Sequence, residues 1–300
     1  MKQQDWRGVF PAITTPFKEG LAVDFEFLKE HVAWLIDRGC SGVVALGSLG
    51  EASALSLDEK LAILETCRAA ANGRVPVVAG VAGLSTSECV ALARGAEGAG
   101  CDGLMVLPAW VYRGDARETE AHAAAVIEAT PLSCMLYNNP IAYGTDYLPV
   151  QIAGLARRHP NLHAVKESAG DVRRVTGIRE MSGDRLAVFV GVDDLVVEGV
   201  AAGAVGWIAG LVNAFPAESV LLFDLAARGD HEEARRIYEW FLPLLRLDTV
   251  PKFVQLIKLV QQEVGRGSER VRPPRLPLVG EEREAAFDVI RAAVRARVTV

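Results

Sequence analysis

Eight short apolar runs, near residues 8–13, 42–46, 75–79, 103–107, 132–137, 162–167, 186–190 and 204–209, constrain this chain more than any other feature. Between them lie segments with helical spacing, such as Phe25, Leu28, Val32, Leu35 and Ile36 before Gly39, or Leu57, Leu61, Ile63, Leu64 and Cys67 before Gly73. The runs are apolar throughout instead of alternating, which marks strands covered on both faces, as in an all-parallel sheet wrapped by helices. Eight strand–helix units within residues 8–228 predict an α/β protein of the closed (β/α)8 TIM-barrel type, in preference to an open doubly wound sheet. Asp24 is placed to cap the first helix, and Gly39, Gly73, Gly100 and Gly183 sit where helices should stop. The longest apolar stretch, Leu195 to Phe215, has the length of a membrane span, but Glu198 and four glycines interrupt it. It reads as a buried helix followed by a buried strand.

Past residue 229 the rhythm changes. Glu232 to Leu247, Lys252 to Val264 and Glu281 to Ala296 have helical patterns with no strand between them. Arg272-Pro273-Pro274-Arg275-Leu276-Pro277 is a stiff extended connector, because proline fixes φ and lacks the N–H that a helix or ladder needs. The expected organisation is a catalytic barrel over 1–228 and a helical extension over 229–300, packed on the barrel or on a neighbouring subunit.

With half its residues hydrophobic the chain has ample core material, and its net charge of −6 leaves no basic footprint for nucleic acid or a membrane surface. The polar start, Met1 to Asp5, lacks an apolar signal core, so a cytoplasmic location is expected. The cysteines (Cys40, Cys67, Cys89, Cys101, Cys134) are odd in number, scattered and without a C-x-x-C, and read as reduced core thiols. The histidines (His31, His122, His159, His163, His231) form no H-x-H pair, so no metal site is expected, and they read as solvated or capping residues. Trp34, Trp207 and Trp240 read as core. Arg173-Arg174, Arg235-Arg236 and the arginines of the last 15 residues read as solvated helix faces, and Asp193-Asp194 as a helix N-cap.

One residue breaks the apolar pattern. Lys166 stands in the sixth run, Leu162-His163-Ala164-Val165-Lys166-Glu167-Ser168. Burying an unpaired ammonium costs far more than one strand position returns, and lysine is seldom fully buried. Desolvation relieves that cost by lowering the pKa until the amine is neutral and nucleophilic. A neutral lysine facing a closed apolar cavity is the reagent for making an imine with a ketone. The alternative is an edge-strand lysine with its head in water.

In a (β/α)8 barrel the active site lies at the C-terminal rim of the strands. Gly47-Ser48-Leu49-Gly50-Glu51 follows the second run, Tyr137-Asn138-Asn139-Pro140 ends the fifth, and Gly191-Val192-Asp193-Asp194 ends the seventh. A phenol such as Tyr137 can hand a proton to a departing hydroxide and take one back from carbon. A Gly-flanked turn exposes N–H groups for a substrate carboxylate, with the Ser48 hydroxyl beside them. Gly191 would let backbone approach a substrate closely.

These residues, with Gly8-Val9-Phe10-Pro11-Ala12-Ile13-Thr14-Thr15-Pro16-Phe17 at the start, resemble the dihydrodipicolinate synthase and N-acetylneuraminate lyase family over nearly the whole chain. The resemblance implies a barrel, usually tetrameric, that forms a lysine imine with pyruvate or another 2-oxo acid and uses no metal or organic cofactor. It implies Lys166 as the imine-forming residue, Tyr137 as the catalytic tyrosine, and Ser48, Leu49, Gly191 and Ile208 as substrate-binding positions. Three residues depart from the synthase pattern. Leu49 stands where most members have a threonine, Trp110 where a neighbouring subunit lends a relay tyrosine, and Ala142 where an arginine grips the second substrate's carboxylate. Tyr112, two residues on, is a candidate replacement for the relay tyrosine. Gly103 to Pro108, Lys166 to Ala169, Val192 to Asp194 and Gly206 to Leu211 look most like 1-pyrroline-4-hydroxy-2-carboxylate deaminases of hydroxyproline breakdown, which implies a cyclic imino acid as substrate. The alternatives are an aldolase or dehydratase of a 2-keto-3-deoxy sugar acid, dihydrodipicolinate synthase itself, and, from another class, a non-catalytic barrel that only binds a small acid.

Overall fold

The computed structural model describes residues 1–297; the last three residues of the expected extension lie outside the described residues. Its strands are β1 (Gly8–Pro11), β2 (Val43–Ala45), β3 (Val77–Val81), β4 (Gly103–Val106), β5 (Ser133–Asn138), β6 (Leu162–Glu167), β7 (Ala187–Val190) and β8 (Gly206–Ala209). The helices among them are α1 (Phe25–Asp37), α2 (Leu57–Ala71), α3 (Thr86–Gly98), α4 (Ala116–Glu128), α5 (Pro140–Tyr143), α6 (Pro149–Arg158), α7 (Arg173–Ser182), α8 (Val196–Ala201) and α9 (Pro216–Arg228). The tail forms α10 (His231–Leu245), α11 (Phe253–Glu263) and α12 (Gly280–Arg295).

All strand pairs are parallel, in the order β1-β8-β7-β6-β5-β4-β3-β2. A parallel bridge between Ala12 and Val44, with Ile13 N donating to Val44 O at 2.9 Å, brings β1 back against β2 and closes the (β/α)8 barrel. Every strand residue but Gly8 and His163 is buried, which is why the runs do not alternate. The start and stop signals act as expected. Asp24 accepts from Phe27 N at 3.2 Å, and Gly39, Gly73, Gly100 and Gly183 all adopt positive φ. The long apolar stretch resolves into α8 and β8, and among the described residues no helix is long and apolar enough to cross a membrane.

The barrel floor is aromatic. Trp6, Phe10 and Phe189 lie with ring centroids 5.5 to 6.1 Å apart. Glycine at 42 and 206 makes their room, since a β-carbon there would strike the Phe10 and Phe189 rings. Lys166 is in register with Phe189 on β7 and with Tyr137 on β5. Because register neighbours share a face, the lysine points inward, beside the aromatic floor.

The tail helices are tied to the barrel by charge as well as packing. Lys258 on α11 donates to Glu51 at 2.5 Å with both side chains buried, and Glu51 also accepts from Arg272 N at 2.9 Å. Arg272 forks onto both Glu59 oxygens at 2.9 Å each. Arg297 keeps half its side chain exposed, as expected of a solvated arginine, while also reaching the buried Glu218 at 2.5 Å. Arg174 corrects the same expectation: its side chain is mostly buried and pairs with Asp146.

Candidate functional site

Lys166 lies at the C-terminal end of β6 and is 7% exposed. Its amine sits 4.4 Å from the centre of the Tyr137 ring and, among the described residues, makes no hydrogen bond or ion pair. Burial, opposed by the Asp248 and Asp193 carboxylates, pushes its pKa down to about 8. The side chain passes over Gly191: a β-carbon there would stand 2.6 Å from Cε and 2.8 Å from Cγ of Lys166, and closer still to Oγ of Ser168. Glycine at 191 therefore leaves room for the lysine stem and for Ser168.

Tyr137 is buried at the end of β5, its hydroxyl accepting from Asn139 Nδ2 at 3.0 Å. Burial raises its pKa, so the phenol keeps its proton at neutral pH. Its ring meets that of Tyr143 edge to face at 5.9 Å, and the Tyr143 hydroxyl bonds Ser48 Oγ. Tyr143 was missed in the sequence. It ends α5, a four-residue helix started by Pro140 and capped by Asn139, too short to show periodicity, and only its closeness to the Tyr137 motif could have drawn notice.

The Gly47–Glu51 turn is built to close tolerance. A β-carbon at Gly80 would lie 2.7 Å from the Leu46 carbonyl oxygen, so β3 must carry glycine for the turn to pass. Leu46 and Glu51 both adopt positive φ, at 63° and 55°. The Lys258 and Arg272 contacts hold Glu51 in that conformation, and Thr15 Oγ1 donates to Gly50 O at 2.6 Å. Leu49 is buried and Ser48 partly exposed. Ile208 is buried in β8, in register with Phe10.

Asp193 is not the expected helix cap. Its carboxylate is buried and accepts from Trp207 Nε1, Gly210 N and Leu211 N, each at 3.2 Å, stitching the end of β7 to the end of β8. Burial lifts its pKa to about 7. Behind Lys166, Glu167 accepts from Asn138 Nδ2 at 3.1 Å and from Ala169 N at 2.7 Å, which fixes the β5 and β6 ends together. Trp110 is partly buried with the Lys60 amine 5.8 Å from its ring, whereas Tyr112 is exposed and donates to Glu118 at 3.0 Å. Within one chain, Tyr112 is thus engaged elsewhere than at Tyr137.

The cysteines are all free and buried, in keeping with reduced core thiols. His31 and His122 correct the expectation of solvated or capping histidines, both being buried, and His31 is held by Asn213 Oδ1 at 3.0 Å with burial pushing its pKa down to about 4; His231 is exposed and His159 is the C-cap of α6, as expected. Asn213 supplies the polar partner for His31 and Thr86 that for His122. Among the described residues no group of three or more His, Cys, Asp or Glu is arranged to hold a metal ion.

A buried, unpaired lysine beside a phenol at the strand-end rim of a (β/α)8 barrel defines a class: barrels that hold an amine at the mouth. Comparison with known proteins narrows it. The pattern of the Dihydrodipicolinate synthetase family matches residues 5–293, and the chain belongs to that family of aldolase-type lyases. It is similar to 4-hydroxy-tetrahydrodipicolinate synthase of Pelobacter propionicus, 33% identical over 291 residues and covering 96% of this chain and 98% of that one. The enzyme of the same name from Methanocaldococcus jannaschii is 30% identical over 286 residues, covering 95% and 98%. Among solved structures, dihydrodipicolinate synthase from Bacillus anthracis superposes with a TM-score of 0.92 at 28% identity, covering 97% of this chain and 99% of that one.

Proposed function

We propose that this chain is a lyase that captures pyruvate or a related 2-oxo acid as an imine on Lys166. The observation that carries the reading is the Lys166 amine itself, enclosed, without an ion-pair partner and set against the Tyr137 ring. At neutral pH about a tenth of such amines are neutral, against roughly 0.03% for an unperturbed lysine. The nitrogen attacks the ketone carbon, one C–N bond forms, and the carbonyl oxygen leaves as water with a proton handed on by Tyr137. The protonated imine then draws electrons from the neighbouring carbon, which is deprotonated or cleaved. Ser48 and the N–H groups of its turn bind the substrate carboxylate, with Tyr143 holding the Ser48 hydroxyl in place.

The names of the relatives favour 4-hydroxy-tetrahydrodipicolinate synthase over the deaminase as the activity to assay first. A second reading has its own support. Ala142 on α5 offers no cation to a second carboxylate, and an arginine there would supply roughly 1.5–3 kcal/mol of charge-assisted binding. That favours a second substrate without a carboxylate at this spot, as in the dehydration or deamination of a hydroxylated acid such as the pyrroline. Borohydride trapping with pyruvate, read by intact mass, tests the imine, and the adduct should vanish in Lys166→Ala. Synthase turnover with pyruvate and its aldehyde co-substrate, set beside ammonia release from the pyrroline, separates the two finer readings. No adduct with any 2-oxo acid would sink all of them.

A further inference from the structure

Asp248 ends a short helical turn, Arg246–Asp248, between α10 and α11, far in sequence from every barrel strand. Its carboxylate nevertheless reaches the barrel mouth. A β-carbon at Gly210, the residue just past β8, would stand 2.8 Å from Cγ of Asp248 and 2.9 Å from Cδ2 of Leu49, and closer still to Oδ1 of Asp248. The tail, the β8 loop and the β2 turn therefore converge on one point of the rim. Burial, and after it the Asp193 carboxylate, holds the Asp248 carboxyl well above the usual carboxylate range, while the Lys166 charge pulls it back. Asp248, Asp193 and Lys166 thus lie in one field.

The two aspartates differ in one respect. Both oxygens of Asp193 are filled, by Trp207 and by the N–H groups of Gly210 and Leu211. Asp248 Oδ1 is enclosed and has no hydrogen-bond partner of its own among the described residues, the nearby Gly210 N–H being directed to Asp193. Leaving a buried acceptor open costs about 1–3 kcal/mol. At a rim that receives a ligand, the missing partner is one the ligand brings. The substrate's own carboxylate has the Ser48 turn to bind it. What remains is a hydrogen-bonding group on the rest of the substrate, and a hydroxyl suits a carboxyl in either protonation state.

We propose that Asp248, supplied by the helical tail, is a specificity-determining residue that touches substrate, bonding through its open oxygen to a hydroxyl on the 2-oxo acid beyond the imine carbon. This rests on the imine reading of Lys166 and narrows its substrate class to hydroxylated 2-oxo acids.

The test uses borohydride trapping of the full chain with 4-hydroxy-2-oxobutyrate, its deoxy counterpart 2-oxobutyrate, and pyruvate. The readout is the ratio of trapping efficiencies between acids, in which any change in Lys166 reactivity cancels. The wild type should prefer the hydroxy acid to the deoxy acid at least tenfold. Asp248→Ala should lose that preference, and Asp248→Asn, which keeps a hydrogen-bonding head, should retain most of it. The wild-type preference carries the test alone if Asp248→Ala does not fold. Pyruvate trapping with no preference for the hydroxy acid in the wild type, or a preference unchanged in Asp248→Ala, would overturn the proposal and leave the imine reading standing. A wild type that traps no acid would overturn both.

Discussion

Replacing Gly191 by alanine probes the site by adding one methyl group. The new carbon would stand 2.6 Å from Cε and 2.8 Å from Cγ of Lys166. Non-bonded carbons settle at about 3.5–4.0 Å, so the lysine stem or the β7 end must yield by about 1 Å. Little can give: Phe189 is the lysine's register neighbour on β7 and the Tyr137 ring lies alongside. Overpacking of this kind costs about 1–3 kcal/mol, and a misplacement of about 1 Å at a reacting group slows reaction on the order of 100-fold. The assay is the rate of borohydride-trapped pyruvate adduct by intact mass, with thermal unfolding in parallel. Gly20→Ala is the control, because nothing lies within 4 Å of the added carbon. Trapping by Gly191→Ala at the wild-type rate, whatever its melting temperature, would refute the idea that this glycine makes room for the reactive amine.

Other consequences follow from the same geometry. Because the Lys166 pKa is lowered to about 8, the neutral amine is scarce below that pH, so the trapping rate should rise about tenfold per unit and level off above pH 8; a profile still climbing at pH 10 would contradict this. Tyr137→Phe should lower turnover by about 100- to 10,000-fold through loss of the proton shuttle, with a melting temperature near wild type; steady-state rates check it. Lys258→Met leaves the buried Glu51 charge without its cation and should cost about 3–5 kcal/mol by denaturant unfolding. Replacing both partners by apolar residues should recover much of that loss.

The barrel was legible because its strands are buried on both faces and its helices on one, so two different periods alternate along the chain. Lys166 stood out for the same reason, as a charge where only apolar residues are stable. The contributions that escaped notice come from contacts distant in sequence. Asp248 has an ordinary helix-end context, and nothing local says that its carboxylate crosses to Gly210 and Leu49. Tyr143 lies on a helix shorter than any periodicity. Asp193 was read locally as a cap, whereas the donors that claim it come from β8 and its loop. The histidines show the same limit, for His31 is stable in the core only because Asn213 meets it from the loop after β8.

Glu51 has a left-handed backbone and, at its carboxylate, a lysine and a main-chain N–H that belong to the last fifty residues of the chain. The turn that presents Ser48 is thus braced from outside the barrel. A chimera that exchanged the tail for that of a distant homologue would inherit a slack turn unless positions 51, 258 and 272 travelled as a set. Drift at the C-terminus of such proteins is therefore coupled to drift in a loop some two hundred positions upstream.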